Sequence, residues 1–315
     1  MKAVLQYRAS PGFRAQLAAL RPEWLEIVVV EETDKASFVS EMRNAEVLLH
    51  VLEPVTEQVL AAAPRLRLIQ KIGVGVNTID VDAARRRRIA VANMPGANAQ
   101  AVAEMTLALM LAVLRRVGML DRRTREGQGW ALPLDTFDGV AEIHDRTIGL
   151  VGYGEVPKRL APALQALGAN VIYTARSPKA DALGEWRTLP DLVAEAEVIS
   201  LHLPLSAETM KIIDAPAIER MKPGVFLINT ARGGLIDEDA LYAAVRSGRI
   251  AGAGLDTLAS EPAGNHHPLM SLENIVVTPH VAWLTPQTLA RSISIAIENC
   301  ARLRRGEELL NQVSP

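Results

Sequence analysis

Thr147-Ile-Gly-Leu-Val-Gly152-Tyr-Gly154-Glu-Val-Pro157 is the stretch on which the fold of this chain turns. An apolar strand runs into a tight turn, and the helical pattern of 158–167 follows at once. Gly152 permits the turn. Gly154 leaves the backbone bare, so a pyrophosphate can approach and meet free amides at the helix start. A glycine pattern alone carries little weight, but a strand before it and a helix after it make it a dinucleotide-binding fingerprint. Gly152, Tyr153, Gly154, Glu155 and Val156 are therefore expected to line a cofactor. Pro157 replaces the third glycine of the fingerprint. Its missing N–H costs little in a first helical turn, whose amides lack intrahelical partners. Its ring should hold the helix slightly further from the strand.

Strand and helix patterns alternate on both sides of this turn. Downstream, strands are expected at 148–151, 170–174, 198–203, 225–229, 253–256 and 275–277, with helices near 156–167, 191–195, 215–221 and 238–247. Upstream, strands are expected at 4–7, 25–30, 47–51, 66–72 and 89–92, with helices around 14–20, 35–43, 56–63 and 80–87. Such alternation gives parallel sheets in an α/β layer fold. The stretch 99–117 reads as a helix apolar on nearly every face, hence buried on nearly every side, crossing between domains and packing against a second subunit. Residues 118–145, with their glycines, Pro133 and Trp130, read as an extended arm. A last helix over 286–304 should return to the first domain. The expected architecture is two parallel-sheet domains with an interdomain cleft: a flavodoxin-like substrate domain of 1–98 plus 286–315, and a Rossmann cofactor domain of 99–285.

Composition agrees with that class. Apolar residues make up 49% of the 315, yet aromatics only 4%, so the cores must be built from Ala, Val, Leu and Ile. A net charge of -2 gives no pull toward nucleic acid or anionic lipid. The single cysteine, Cys300, excludes an internal disulfide framework and fits a reducing compartment. No signal peptide is visible, and the longest apolar run, 105–114, is far below the ~20 residues that span a bilayer. A soluble cytoplasmic protein is expected.

The strand at 170–174 should reach the adenosine ribose. An acid about 20 positions after the first glycine usually binds the ribose hydroxyls and repels a 2′-phosphate. Here the chain reads Val171-Ile-Tyr-Thr174-Ala175-Arg176-Ser177, with no acid. Arg176 could pair with a phosphate dianion while Ser177 or Thr174 hydrogen-bonds it. NADP(H) is expected to be favoured, with NAD(H) possible; a solvated Arg176 that discriminates nothing is the plain alternative.

Three further stretches each end on an ionisable residue. Ala231-Arg232-Gly233-Gly234 supplies a guanidinium, Ser260-Glu261-Pro262 a carboxylate, and Thr278-Pro279-His280 an imidazole. Hydride addition to a keto carbon builds negative charge on oxygen, which a fixed cation can oppose and an imidazole can quench with a proton. Singly, each has a dull reading as a loop ion pair, a surface acid or an interior His. Beside a dinucleotide turn, the three together point to reduction of a 2-keto acid.

With these residues in view, the chain resembles the D-isomer-specific 2-hydroxyacid dehydrogenases over essentially its whole length. The likeness rests on Gly73-Val-Gly-Val-Asn-Thr-Ile-Asp80, Ala101-Val-Ala-Glu-Met-Thr106, His202-Leu-Pro-Leu-Ser-Ala-Glu-Thr209, Ile228-Asn-Thr-Ala-Arg-Gly-Gly-Leu-Ile-Asp237, Gly254-Leu-Asp256, Glu261-Pro262 and Thr278-Pro-His-Val-Ala-Trp283. Trp283 and the Ala175-Arg176-Ser177 turn look like the glyoxylate/hydroxypyruvate reductases of that family. The resemblance implies that Arg232 binds the substrate carboxylate and polarises the keto oxygen. It implies that His280 carries the proton and that Glu261 holds the imidazole, favouring its protonated form above ~6.5. It places backbone amides of Val74 and Gly75, and Trp283, on the substrate. Asp256 would contact the nicotinamide carboxamide, while Thr106, Ala175, His202, Pro204, Thr209, Thr230 and Ala231 join the cofactor contacts. A homodimer is implied as well. Asn77 departs from the Asp of many relatives, which should affect substrate fit more than chemistry.

Other features read as structure. The basic run 85–88 is a solvated helix end, not a nucleic-acid patch. His266-His267 is poor metal spacing and reads as a rim or substrate loop; no metal is expected. His202 reads as a cofactor-side structural His, His50 and Leu52 as substrate-side walls, and Cys300 as buried and inert. The favoured reading is a reductase of glyoxylate or hydroxypyruvate that gives the D-2-hydroxy acid. A phosphoglycerate dehydrogenase-like enzyme and a nicotinamide-sensing, corepressor-like binding protein are the alternatives. Formate dehydrogenase is disfavoured by Glu261.

Overall fold

Short β-branched runs punctuated by capped helices shape both halves of the chain. The computed structural model describes residues 1–264 and 266–314. Contacts divide the chain into two units, Met1–Asn98 with Leu284–Pro315, and Ala99–Trp283. The first begins with β1 (Lys2–Gln6), α1 (Pro11–Leu20), β2 (Glu26–Val30), α2 (Lys35–Met42), β3 (Val47–His50), α3 (Glu57–Ala61), β4 (Leu68–Lys71), α4 (Val81–Arg86) and β5 (Ala90–Ala92). The second holds α5 (Ala99–Leu114), α6 (Val117–Arg125), β6 (Thr147–Val151), α7 (Glu155–Ala166), β7 (Asn170–Thr174), β8 (Glu185–Trp186), α8 (Leu189–Glu195), β9 (Val198–Leu201), α9 (Ala215–Arg220), β10 (Val225–Asn229), α10 (Glu238–Arg246), β11 (Ile250–Leu255) and β12 (Ile275–Val277). The chain then adds α11 (Pro286–Arg305) and β13 (Gln312–Ser314) to the first unit.

In the first unit the sheet runs β13-β5-β4-β3-β1-β2, parallel except for β13, which lies antiparallel to β5. The parallel part has the doubly-wound order 2-1-3-4-5. Val4, Leu48, Ile69 and Val91 form its core beneath Phe38, Met42 and Leu60. α11, capped by Thr285 through the Thr288 amide and opened by Pro286, packs on α1 and β4. Its buried Asn299 donates to Gln70 Oε1 at 2.6 Å and to the Leu310 carbonyl, and accepts the Leu310 amide at 2.7 Å.

The second unit's sheet runs β12-β11-β10-β9-β6-β7-β8, every pairing parallel. Strand order reverses between β6 and β9, the switch point where such sheets bind ligands at their carboxyl edge. Apolar strands buried on both faces explain why their sequences run apolar without alternation.

Some expectations need correction. The helix of 99–117 ends at Leu114; Arg116 turns left-handed at φ 51° and a second helix starts at Val117. Residues 118–145 are therefore not simply extended: α6 and two short 3-10 turns, Gly129–Ala131 and Leu134–Phe137, occupy much of them. Nor is α5 buried all round. Gln100, Glu104, Ala108 and Leu111, at helical spacing, form an exposed stripe. β8 and β13 escaped notice because they are too short for a period-2 signal. The strands expected at 66–72 and 198–203 shrink to β4 and β9, while that at 253–256 starts earlier, at Ile250. Among the described residues no helix is long and apolar enough to cross a membrane.

Candidate active site

Five neighbouring strands of the second sheet end in the residues singled out from the sequence. β6 leads to Gly152, β9 to His202 and Pro204, β10 to Thr230, Ala231 and Arg232, β11 to Asp256 and Glu261, and β12 to His280. Parallel pairing puts all these ends on one edge of one sheet.

Gly152 has φ 98°, and a Cβ there would lie 2.8 Å from the His202 carbonyl oxygen, so the turn and its packing both require glycine. Gly154 is different. Its φ is -101°, and a side chain would meet nothing within 4 Å. Nothing inside the chain demands glycine there, whereas a diphosphate approaching the uncapped first turn of α7 does. On that observation the residues fit a dinucleotide. Pro157 is buried in the first turn, as a residue without N–H can be, and Pro162 sits further along the same helix. Tyr153 turns into the core, where its hydroxyl accepts the Leu183 amide at 2.7 Å, so only its backbone is offered outward. Glu155 is exposed and paired with Arg159 at 2.9 Å; Val156 is half-buried. At the end of β7, Ala175 accepts from Trp186 Nε1 at 3.2 Å, and Arg176 and Ser177 are exposed.

Arg232 follows a turn written by fully buried Asn229. The Asn229 Oδ1 accepts the Ala231 amide at 3.0 Å, and its Nδ2 donates to the Arg232 carbonyl at 2.8 Å. Gly233 then presses against the loop that carries Glu261: a Cβ there would lie 1.9 Å from the Leu258 carbonyl carbon. Glu261 accepts the Leu258 amide through Oε1 at 2.8 Å and His280 Nδ1 through Oε2 at 2.7 Å. A carboxylate can only accept, so Nδ1 carries the hydrogen and Nε2 is left to hold or release a proton.

Burial pushes the Glu261 carboxyl up, but the His280 bond, the Leu258 amide and the charges of His280 and Arg232 together hold it below its ordinary 4.5. Burial lowers the Arg232 pKa, opposed by Glu261. The three side chains thus feel one another within one unit.

His280 sits at φ 55°, a left-handed conformation uncommon outside glycine. Asp256 enforces it. This carboxylate, 1% exposed, accepts the Thr278 hydroxyl at 2.6 Å, the Val281 amide at 3.0 Å and the Ala282 amide at 2.9 Å. Its carbonyl takes the His280 amide at 2.8 Å. Burial raises the Asp256 pKa against these bonds.

The family model for the NAD-binding domain of D-isomer specific 2-hydroxyacid dehydrogenases matches residues 107–282. The chain belongs to that family. Relatives of this dehydrogenase include the glyoxylate reductase of Aeropyrum pernix, 37% identical over 93% of both chains. The D-3-phosphoglycerate dehydrogenase of Mycobacterium leprae is 38% identical over 93% of this chain, which spans only 56% of that protein. Among solved structures, the TT0316 protein of Thermus thermophilus superposes with a TM-score of 0.90 at 36% identity, covering 99% of this chain and 100% of that one.

Other expected contacts of the dehydrogenase are placed less simply. Thr106 is fully buried, its Oγ1 bonded to the Val102 carbonyl at 2.7 Å and to Thr230 Oγ1 at 2.8 Å. Thr209 donates to the Pro204 carbonyl at 2.7 Å and so closes that loop. The His202 ring pairs with Ser200 Oγ at 2.9 Å; burial drives its pKa down to about 3, which keeps it neutral. Trp283 is half-buried and engaged. In the first unit, Val74 is 45% exposed and its carbonyl accepts from Asn93 at 2.9 Å; Gly75 follows in the same turn. The expectation that His50 forms a wall needs correction. It is 3% exposed, with Nε2 donating to the Glu53 carbonyl at 2.7 Å and Nδ1 left without a partner among the described residues. Leu52 is exposed. Sequence reasoning missed Asn229 and the bracing role of Asp256, since both act on backbone a few residues away.

Proposed function

We propose that this dehydrogenase reduces a small 2-keto acid, glyoxylate or hydroxypyruvate, to the D-2-hydroxy acid, with NADP(H) favoured over NAD(H). The observation that carries the reading is the 2.7 Å bond between His280 Nδ1 and Glu261 Oε2, within range of the Arg232 charge. A bound nicotinamide supplies the hydride. Arg232, a permanent cation, opposes the negative charge that develops on the keto oxygen. His280 delivers a proton from Nε2 to that oxygen, and Glu261 supports the cationic ring before transfer. In the reverse direction the same nitrogen accepts the alcohol proton. Val74, Gly75 and Trp283 are assigned to the substrate by resemblance.

The absence of an acid from 171–177 and the exposed Arg176 support NADP(H). Exposed Trp130 (93%) and Leu134 (86%), with Val117 and Phe137, support a homodimer built on the 117–137 region, because such area is costly to leave in water. Sedimentation of the purified chain tests this: a monomer at micromolar concentration refutes it.

The deciding assay follows NADPH and NADH oxidation with glyoxylate, hydroxypyruvate and 3-phosphohydroxypyruvate. Turnover of the first two, lost in Arg232→Ala, is expected. Preference for the phosphorylated acid would favour the activity named for the mycobacterial relative. Cofactor binding with no turnover of any keto acid would favour a sensor.

A further inference from the structure

The loop that carries Glu261 is held at two successive amides by two different carboxylates. The Leu258 amide donates to Glu261 itself, and the Ala259 amide donates to Glu238 Oε1 at 2.8 Å. Glu238 is the first residue of α10, where an acid is commonly explained by the helix dipole. That explanation is insufficient here. Asp237 already caps the helix through the Ala240 amide, and Glu238 turns both oxygens away from its own helix. Its Oε2 lies 3.3 Å from His267 Nε2, with side-chain exposures of only 16% for His267 and 21% for Glu238. Both side chains of the pair are thus largely shielded from water.

We infer that Glu238 and His267 form a second carboxylate–imidazole pair that positions Glu261, by fixing the loop 258–261 against the Arg232 turn. The linkage is continuous. His267 holds Glu238, Glu238 holds Ala259, the adjoining Leu258 amide holds Glu261, and Glu261 holds His280. Gly233 backs the same loop from the side of Arg232. Removing Glu238 frees Ala259 and lets Glu261 drift; displacement of reacting groups by about 1 Å can cost roughly a hundredfold in rate. Glu238 and His267 touch none of the three reacting side chains, so they are positioning residues. The inference rests on reading Glu261 and His280 as the proton-transfer pair.

The test uses the full chain and three variants, Glu238→Ala, Glu238→Gln and His267→Gln, beside wild type and Glu261→Gln. Steady-state kinetics, cofactor Kd and hydrogen exchange of the Leu258 and Ala259 amides, read by NMR, are measured well below each Tm. The charged groups facing His280 and Glu261 are Arg232 and Asp256, and none of the three variants alters them. Glu238→Ala should lose roughly tenfold or more in kcat at unchanged cofactor Kd, and its Leu258 and Ala259 amides should exchange faster. Glu238→Gln keeps an acceptor for Ala259 and should recover most of kcat. A folded Glu238→Ala with wild-type kcat and unchanged exchange at Leu258 and Ala259 overturns the inference, whatever its Tm. Should Glu238→Ala not fold, a fall in kcat for His267→Gln supports it and a wild-type kcat overturns it. If wild type and Glu261→Gln are equally inactive on keto acids, the functional reading fails. Amide exchange at Leu258 and Ala259 in Glu238→Ala then decides the positioning role alone: faster exchange supports it and wild-type exchange overturns it.

Discussion

The carboxylate of Asp256 accepts the backbone amide of Ala282 at 2.9 Å and so braces the backbone that carries His280, whose ring Glu261 holds at 2.7 Å. With the Val281 amide and the Thr278 hydroxyl it folds 278–282 into a turn that holds His280 at φ 55°. Asp256→Ala would leave two amides and a hydroxyl buried without acceptors, at about 1–3 kcal/mol each before relaxation. A net loss of about 3 kcal/mol in urea unfolding is expected, with kcat falling well beyond what a stability loss alone predicts. An Asp256→Ala enzyme with wild-type kcat would remove the bracing role.

Replacing His280 by Asn should lower kcat roughly 10²–10⁴-fold while cofactor Kd stays put, since the imidazole transfers a proton and does not hold the dinucleotide. Glu261→Gln should fall less far, because the ring remains hydrogen-bonded but loses its counter-charge. Stopped-flow and equilibrium titration separate the two quantities.

The Glu261 pKa, depressed below 4.5, makes a signed statement about pH. Its interaction with His280 is fully present above the unfolded value and is lost only as pH falls through the lower folded one. Reductive kcat should therefore hold from about pH 7 to about pH 5, with no loss from carboxylate protonation. An acid-side limb, with kcat falling as pH drops, centred above about 5 and still present at saturating substrate in protein shown to be folded, would contradict the assignment.

His50 makes the opposite kind of statement. Burial, then the Lys71 charge, drive its pKa to about 3 from 6.5, against the bond to Glu53. Because the folded form stays neutral while the unfolded chain takes up a proton, stability is full above 6.5 and declines between 6.5 and about 3. The slope is at most about 1.4 kcal/mol per pH unit for this one group. His50→Gln should flatten urea-derived stability across that window, compared with wild type.

Arg176→Ala should lower the NADPH/NADH ratio of kcat/KM roughly tenfold or more, the size of one charge-assisted contact. An unchanged ratio would mean that the exposed guanidinium discriminates nothing.

Most of the site was legible because its residues stand at strand ends, where local patterns and motif spacing are strongest. Gly152, Arg232, Glu261 and His280 each follow a short apolar run, and the sheet then brings those runs together. Residues that act through backbone bonds were not legible. Nothing in the local sequence shows that the two oxygens of Asp256 accept from Thr278, Val281 and Ala282. His267 looked like a rim residue, and nothing local couples it to Glu238 across a helix, a strand and a loop. α6 went unread because its three arginines, Arg122, Arg123 and Arg125, and Gly118 hide any apolar stripe. His50, read as a substrate-side wall, is the last residue of β3 and is buried with it.

β13 has a consequence for solubility. The hydrogen-bonding rim of β5 would otherwise offer a bare ribbon on which a foreign strand could add, the usual start of fibrous association. Three residues near the carboxyl terminus, moored by Asn299 through Leu310, shield that rim with a strand of opposite direction. Clipping them should leave the reacting groups untouched and raise self-association, which light scattering of the clipped and intact chains would measure.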